Sequence, residues 1–229
     1  MEPDDTYLLI PASNIHTTTA ELSAIEEWSA SCNLKLNTGK TKEMIFMLPR
    51  AKMIDLPPEY PGIVRVREIT ILGVSMTDKF CMEPHVRRLC TRTAQSLYAF
   101  RLLRAHGLSG QRLYDIVVAT ALARLTYATP AWVGYITADQ KVRIRASIRK
   151  LQRQDYLPSD QADFDDLCKK ADIRLFRSTL SNKNHVLHKF LTPIKDLKYQ
   201  LRPRLHNHTL PFADTFERHG FILRMLFTF

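Results

Sequence analysis

The stretch from 137 to 153, TADQKVRIRASIRKLQR, decides how the second half of this 229-residue chain folds. It opens with Thr137 and places Gln140 three residues later, which is the capping-box pattern that starts an α-helix. Apolar residues then recur at helical spacing at Ile144, Ile148 and Leu151, so one face of this helix is expected to be buried. A basic ridge beside that face repeats every four residues, with Lys141, Arg145, Arg149 and Arg153.

The same helical spacing extends toward the N-terminus. It predicts one helix from Val86 to His106, which Gly107 terminates, and a second from Ser109 to about Tyr127. The apolar run 116–136 includes Arg124 near its middle, and a central Arg costs about 2.5–3.5 kcal/mol in a bilayer. We therefore expect a buried helix and no membrane partner. Beyond residue 158 the pattern is mixed and mostly helical.

The first part of the chain has a different pattern. Short apolar runs predict strands at 6–10, 43–48, 63–66 and 69–74, and an amphipathic helix is expected over 19–32. The predicted fold class is therefore α+β, with short antiparallel strands and a helix followed by a helical half. We predict three regions along the chain: 1–78, 79–153 and 154–229.

The charge is concentrated in the middle region. The whole chain has a net charge of +10, but residues 1–78 carry 7 Lys+Arg against 11 Asp+Glu, whereas residues 79–153 carry 14 against 3. Residues 154–229 carry 12 against 9. A concentrated basic segment is typical of an element that contacts phosphates, although a solvated surface in a basic protein gives the same count.

The cysteines bear on the cellular compartment. The four cysteines are far apart in sequence, which excludes a disulfide scaffold and a zinc site of four closely spaced ligands. No apolar segment follows a basic start at the N-terminus. We expect an intracellular protein, nuclear or cytoplasmic and not secreted, with no disulfide-linked partner.

Two adjacent carboxylates, Asp4 and Asp5, stand immediately before the first predicted strand. Like charges at such a position repel, but they suit Mg²⁺, which binds carboxylate oxygens together with substrate phosphates. An exposed acidic turn is the alternative explanation, because such pairs are common in turns.

Several motifs taken in order resemble the palm and thumb of reverse transcriptases, the RNA-directed DNA polymerases of non-LTR retrotransposons. In that family an Asp-Asp turn is followed by an apolar strand, a helix ending near a Trp, and a stretch of the form Asn-x-Leu-x-Leu-Asn-x-x-Lys-Thr-Lys. The matching parts of this chain are Asp4-Asp5, Trp28, residues 33–42, Leu72-Gly73-Val74, His85-Val86, Tyr127-Ala128, Pro130, Trp132, and the tail residues 201–211.

The resemblance implies a role for each matched position. Asp4 and Asp5 would bind Mg²⁺ in the palm, and Lys40 would lie near the phosphates of the incoming nucleotide. Region 1–78 would be the C-terminal part of the palm, 79–153 a helical basic thumb, and 154–229 a mostly helical tail. The partners would be an RNA template and a DNA primer duplex. The expected nucleic-acid contacts are Lys42, Leu72, Gly73, Arg88, Arg92, Lys141, Arg145, Arg149 and Arg153.

The resemblance also implies that a part of the family enzyme precedes Asp4. That part comprises the fingers, the upstream palm strand with the first metal-binding aspartate, and the helix that selects the nucleotide. We therefore expect a truncated reverse-transcriptase fragment that binds nucleic acid but has no polymerase activity by itself. The alternatives are a co-opted, non-catalytic nucleic-acid-binding module and a structural domain with an incidental basic face.

Overall fold

The computed structural model describes residues 6–47, 56–195 and 205–229. These residues fall into two units, which we call the N-terminal unit (6–44 and 56–66) and the helical unit (45–47, 67–195 and 205–229). The described part of the chain is α+β and mostly helical, with its strands in two small sheets. The predicted region boundaries at 78 and 153 stay predictions.

The described helices and strands follow in chain order. The α-helices are α1 (Thr18–Ser31), α2 (Glu83–Ala105), α3 (Gly110–Val117), α4 (Ala123–Thr126), α5 (Thr129–Trp132), α6 (Ala138–Arg153), α7 (Phe164–Ser181) and α8 (Phe221–Thr228). The strands are β1 (Lys42–Glu43), β2 (Val64–Arg65), β3 (Glu68–Ile71) and β4 (Val74–Thr77). Short 3-10 turns cover Ala12–Thr17, Val133–Tyr135, His188–Phe190 and Glu217–His219.

The N-terminal unit has a helix and one short strand pair. Helix α1 confirms the helix predicted over 19–32, but its apolar stripe at Leu22, Ile25 and Trp28 is not buried. The strand predicted over 6–10 is wrong, because this segment is irregular and Tyr7, Leu8 and Leu9 are exposed. An apolar run forms a buried strand only where another layer covers it.

The pairing of β1 with β2 also differs from the expected antiparallel arrangement. The two strands run parallel, with Lys42 opposite Val64 and Glu43 opposite Arg65. A parallel pair needs a long connection, which residues 44–63 supply. Arg65 holds the pair by donating from Nε to Glu43 Oε2 at 2.7 Å, and Ile63 is the one buried apolar residue in the described part of this unit.

Strands β3 and β4 form an antiparallel hairpin in the helical unit. The stretch 69–74, predicted as one strand, is divided by a two-residue turn at Leu72 and Gly73. Val74 from this hairpin is buried in the main apolar core, together with residues of α2, α3, α6 and α7. The hairpin is therefore part of the same folded body as the helices.

Helix α2 ends as its sequence predicts. Gly107 has φ +86°, and the N–H groups of Gly107 and Leu108 donate to Arg104 O at 3.1 Å and Leu103 O at 3.0 Å. These two bonds form a Schellman motif, which satisfies carbonyls at the helix end.

The second predicted helix is continuous but changes its winding. A π-helical turn, Val118–Leu122, joins α3 to α4. The hydroxyl of Thr120 donates to Ile116 O at 2.6 Å, and a side chain that takes an i−4 carbonyl weakens the regular α-helical ladder there.

Helix α6 confirms the local predictions in detail. Thr137 Oγ1 accepts from the Gln140 N–H at 3.3 Å, and Gln140 Oε1 accepts from the Thr137 N–H at 2.9 Å, which completes the capping box. Ile144, Ile148 and Leu151 are all buried in the main core. The apolar stripe therefore sets which side of α6 faces the protein.

An arginine and an apolar cluster both hold the C-terminal helix α8 to the rest of the helical unit. Arg224 pairs with the buried Asp172 of α7, and its Nη2 also donates to Pro130 O at 3.1 Å. Gly134 allows the backbone of His219 to lie close to its own, since a Cβ at position 134 would lie 2.1 Å from His219 O. A second apolar cluster of Phe176, Met225 and Leu226 lies under α8.

The sequence predicts no disulfide-linked partner and no membrane partner, and the described residues bear on both predictions. All four cysteines are free thiols. One helical run, Gly110–Tyr135, has the length and composition to cross a membrane. Its residues Val117, Ala121, Leu125 and Trp132 are fully buried in the protein core, as expected for the central helix of a folded unit.

The joint between the hairpin and α2 contains a buried histidine. His85 Nδ1 accepts from the Ser75 N–H at 3.4 Å, and its ring meets Trp132 edge-on with centroids 4.9 Å apart. Burial, assisted by the positive charge of Arg88, lowers the pKa of His85 to about 4. His85 is therefore neutral in the folded chain at neutral pH.

Acidification should destabilise the helical unit through His85. The pKa of this residue is about 6.5 in an unfolded chain, so the unfolded state takes up the proton first and stability is lost as the pH falls from about 6.5 toward 4. Between about pH 7 and pH 4.5 the loss should be about 2 kcal/mol. His85→Gln should remove this part of the pH dependence in urea-unfolding measurements. The control His106→Gln, at the exposed end of α2, should keep it, and an unchanged pH dependence in H85Q would contradict the assignment.

Candidate nucleic-acid interface

The predicted palm residues contribute little described geometry. Asp4 and Asp5 lie outside the described residues, so the Mg²⁺ site predicted there stays a prediction. Within the described part of the chain, no three His, Cys, Asp or Glu side chains form a group that could hold a metal ion. The buried Cys168 is no candidate nucleophile, because burial raises the pKa of its thiol to about 12.

Lys40 and Lys42 belong to the N-terminal unit, whereas the predicted arginines belong to the helical unit. Lys40 closes a turn in which its N–H donates to Asn37 Oδ1 at 3.2 Å, and Lys42 begins β1. Both side chains are exposed, and neither forms an ion pair with a described carboxylate. They are free to meet an anion, but the described residues do not define a pocket around them.

The Leu72-Gly73 turn is built with unusual backbone angles. Leu72 has φ +47° and Gly73 has φ +84°, and a two-residue hairpin loop with positive φ at both positions is a type I′ turn. Such turns favour Asn-Gly, and a leucine in the left-handed region costs about 1–2 kcal/mol. The Leu72 side chain is nevertheless 71% exposed, so burial does not offset that cost.

A second motif from the sequence contacts this turn. Tyr127 donates from its hydroxyl to Leu72 O at 3.1 Å, although the two residues are 55 positions apart. A Cβ at Gly73 would lie 3.4 Å from the Tyr127 ring, and Trp132 Nε1 donates to Tyr127 O at 2.9 Å. Ala128 turns the chain between them with φ +50°. The structure thus brings together Leu72-Gly73 and the segment 127–132, which the sequence singled out separately.

The two predicted arginines of α2 have different surroundings. Arg88 pairs with Glu68 at 3.7 Å and donates to Thr70 Oγ1 at 3.3 Å, so it ties α2 to the hairpin. Arg92 is exposed and has no carboxylate partner among the described residues. Arg124 lies beside it, donating to Arg92 O at 3.3 Å and to Ser96 Oγ at 3.0 Å.

The basic ridge of α6 divides into two halves. Lys141 and Arg145 both pair with Asp165 at the start of α7, and Arg145 Nε donates to its Oδ2 at 2.7 Å. This carboxylate raises the pKa of Arg145. Arg149 and Arg153 are exposed and have no carboxylate partner in the described ranges. Only the C-terminal half of the ridge is available to an external anion without breaking an ion pair.

Helices α2 and α6 run in the same direction, which places their C-terminal halves side by side. At one end Glu83 accepts from Gln140 Nε2 at 3.0 Å and from Arg143 Nη1 at 2.7 Å. At the other end Arg104 donates to Gln154 O at 2.8 Å and lies 4.1 Å from the centroid of the Tyr156 ring.

The exposed sides of these C-terminal halves form what we call the two-helix face. Its residues are Tyr98, Arg101, Arg149, Lys150 and Arg153. The four cations of this face have no carboxylate partner among the described residues. Tyr98 of this face is 73% exposed.

The two-helix face contains residues that sequence reasoning missed. Arg101 is not among the contacts predicted on α2, and Lys150 lies outside the four-residue repeat of α6. The parallel packing of α2 and α6 places all four cations on the exposed C-terminal halves of two neighbouring helices. An exposed Tyr between basic residues is the sequence signal that could have indicated them.

Comparison with known proteins found no match: no protein-family model, no curated protein and no solved structure is similar to this chain.

Stability measurements can test the strain in the Leu72-Gly73 turn. Leu72→Asn should raise the free energy of unfolding by about 0.5–1 kcal/mol, because Asn adopts the left-handed region at lower cost. Gly73→Ala, at the neighbouring position, should lower it by about 1 kcal/mol, since φ +84° suits glycine and the added Cβ would contact Tyr127. Urea unfolding of both variants checks this. A destabilised L72N would show that the Leu72 side chain contributes packing despite its exposure.

Proposed function

We propose that this chain is a fragment of an RNA-directed DNA polymerase of a non-LTR retrotransposon, and that its helical unit binds the backbone of a template–primer duplex. In this proposal the β3–β4 hairpin and the helices up to α6 belong to the junction of palm and thumb. The contact is independent of base sequence, because Arg and Lys side chains recognise phosphates.

The contact between two motifs supports the polymerase assignment. Leu72-Gly73 and the segment 127–132 are both parts of the sequence resemblance, and the Tyr127 hydroxyl joins them at Leu72 O. Two stretches that resemble a family in sequence order and also meet in space are more informative than either alone. In the proposal this exposed turn supports the primer strand.

The single observation that carries duplex binding is the group of unpaired cations on the two-helix face. Arg149 and Arg153 have no carboxylate to displace, whereas Lys141 and Arg145 would first have to leave Asp165. Arg92, with Arg124 beside it, offers a second contact on another side of α2. Arg88 is assigned to holding the hairpin through Glu68, and its predicted phosphate contact is secondary.

The remaining predicted roles rest on the resemblance. Asp4 and Asp5 would hold Mg²⁺, whose chemistry in such enzymes is to activate the attacking oxygen and stabilise the leaving group of phosphoryl transfer. Lys40 would lie near the nucleotide phosphates, with Lys42 close to the nucleic acid.

Removing Arg149 and Arg153 should weaken the salt dependence of duplex binding. Each phosphate contact contributes about −0.9 to the slope of log Kobs against log salt, so R149A/R153A should lower the magnitude of the slope by about 2. Fluorescence anisotropy of a labelled RNA–DNA hybrid between about 50 and 200 mM salt measures it.

The matched control is K169A/K170A, which removes two exposed, unpaired charges from α7. This control has the same net charge as R149A/R153A and should keep the wild-type slope. Equal slopes for the two double variants would place the contact elsewhere and contradict the proposal.

The chain by itself should not extend primers. Two-metal phosphoryl transfer needs carboxylates from both palm strands, and residues 1–229 contain the Asp4-Asp5 motif but no match to the first palm aspartate. Incubation with oligo(dT)/poly(rA), dNTPs and Mg²⁺ should give no incorporation. Incorporation that Asp4→Asn abolishes would contradict this expectation, whereas duplex binding without incorporation agrees with it.

A further inference from the structure

A polar groove of about 370 Å³ lies between α2 and the helical run that continues α3 into α4. It is lined by Arg92, Gln95 and Ser96 of α2 and by Arg124 of α4. Each of these four side chains carries a hydrogen-bond donor, and none of them is a carboxylate. The chemistry of the lining therefore suits an anion.

The guanidinium of Arg124 is held in place by contacts within the protein. Its Nη1 donates to Ser96 Oγ at 3.0 Å and to Arg92 O at 3.3 Å. The Ser96 hydroxyl is itself fixed, because it donates to Arg92 O at 2.9 Å. Arg124 is half-buried, yet its Nε and Nη2 have no acceptor among the described residues. A positioned guanidinium thus keeps donors available for a ligand.

The π-helical turn before Arg124 helps to aim this residue at α2. The buried residues of the run recur every four positions, at Leu113, Val117, Ala121 and Leu125. Since an α-helix has 3.6 residues per turn, a repeat of four drifts by about 40° at each step. The wider turn Val118–Leu122 takes up part of this drift. Arg124 therefore stays at the edge of the core, next to α2.

The two arginines of the groove keep their full charge. Arg92 and Arg124 form no ion pair with a carboxylate in the described ranges, whereas Arg88, one turn earlier on α2, pairs with Glu68. A phosphate inside a strand has one negative charge, but a terminal phosphate has a charge of about −1.5 to −2 and three acceptor oxygens. Two guanidinium groups in one groove match the terminal phosphate better.

We propose that this groove binds the terminal phosphate of a nucleic-acid strand. Arg92, Arg124 and the side-chain amide of Gln95 donate to the phosphate oxygens. Ser96 is a positioning residue, which acts by fixing Arg124. The inference deepens the second contact that the proposed function places on α2, and it rests on that function only in taking nucleic acid as the ligand. Residues 79–153, with 14 Lys+Arg against 3 Asp+Glu, favour a polyanion over a phosphorylated protein.

The test uses the full chain and three internally labelled oligo(dT) probes: one with a 5′-phosphate, one with a 3′-phosphate, and one with hydroxyl groups at both ends. Fluorescence anisotropy should show that the wild type binds one of the phosphorylated probes about tenfold more tightly than the unphosphorylated probe. The two phosphorylated probes distinguish which strand end is recognised. Inorganic phosphate should remove the preference by competition.

Three variants test the individual residues. Arg92→Gln removes one guanidinium from an exposed position and should abolish most of the preference. Arg124→Lys keeps the charge but loses the planar fork, so it should do the same. Ser96→Ala should lower the preference part of the way, because it frees Arg124. Since Arg92 is exposed, R92Q tests the site even where R124K disturbs folding.

The matched control is Arg112→Gln, at an exposed arginine of α3 that has no carboxylate partner among the described residues. R112Q has the same net charge as R92Q and should keep the wild-type preference. A preference that both variants lower equally would overturn the inference, because total charge would then explain it.

Two other results would also overturn the inference. Equal wild-type affinity for the three probes would exclude recognition of a terminal phosphate. Tighter binding of a phosphoserine peptide than of either phosphorylated probe would assign the groove to a phosphorylated protein. Failure of the proposed duplex function gives a different pattern: no salt-dependent binding of the RNA–DNA hybrid, but a retained preference for the phosphorylated probe, which would support this inference.

Discussion

Trp132 is the residue on which the geometry of the helical unit depends. It is fully buried, its ring stacks on Phe164 of α7 with centroids 6.1 Å apart, and it meets His85 of α2 edge-on. Its Nε1 donates to Tyr127 O, and Tyr127 in turn donates to the turn of the hairpin. One side chain thus connects α2, α5 and α7 and, through Tyr127, the β3–β4 hairpin.

The helix arrangement that follows from this core determines which charges are free. Helix α7 begins where Asp165 can reach Lys141 and Arg145, and α6 begins where Arg143 can reach Glu83. Exposed ion pairs of this kind contribute little to stability, about 0–1 kcal/mol each. In the proposed function their larger effect is on binding, because they leave the cations at the C-terminal ends of α2 and α6 without carboxylate partners in the described part of the chain.

Local features were predictable from the sequence because they depend on neighbours along the chain. The capping box at Thr137, the stripe at Ile144, Ile148 and Leu151, and the glycine stop after α2 all formed as expected. The strand at 6–10 was predicted from its apolar residues alone, and no layer covers it in the described residues. The parallel pairing of β1 with β2 depends on a long connection, which spacing does not reveal.

The candidate site was predictable only in part, because it depends on contacts between residues that are far apart in sequence. The four-residue repeat of α6 predicted the cations of the basic ridge. Asp165, however, is 20 residues from Arg145 in sequence, and its approach follows from how α7 packs. Arg101 belongs to the same candidate face only because α2 packs parallel to α6, which the sequence does not show. The Tyr127–Leu72 bond likewise joins residues whose separate motifs do not predict a contact.

The central claim is that the unpaired cations, and not the total charge, bind the nucleic-acid backbone. The most direct measurement is the slope of log Kobs against log salt for the wild-type chain on an RNA–DNA hybrid. Four cations on the two-helix face, with Arg92 as a fifth, predict a slope of about −3 to −5. A slope near zero, or one steeper than about −8, would contradict the account, because the first would exclude phosphate contacts and the second would require cations beyond the two-helix face and Arg92 to bind as well.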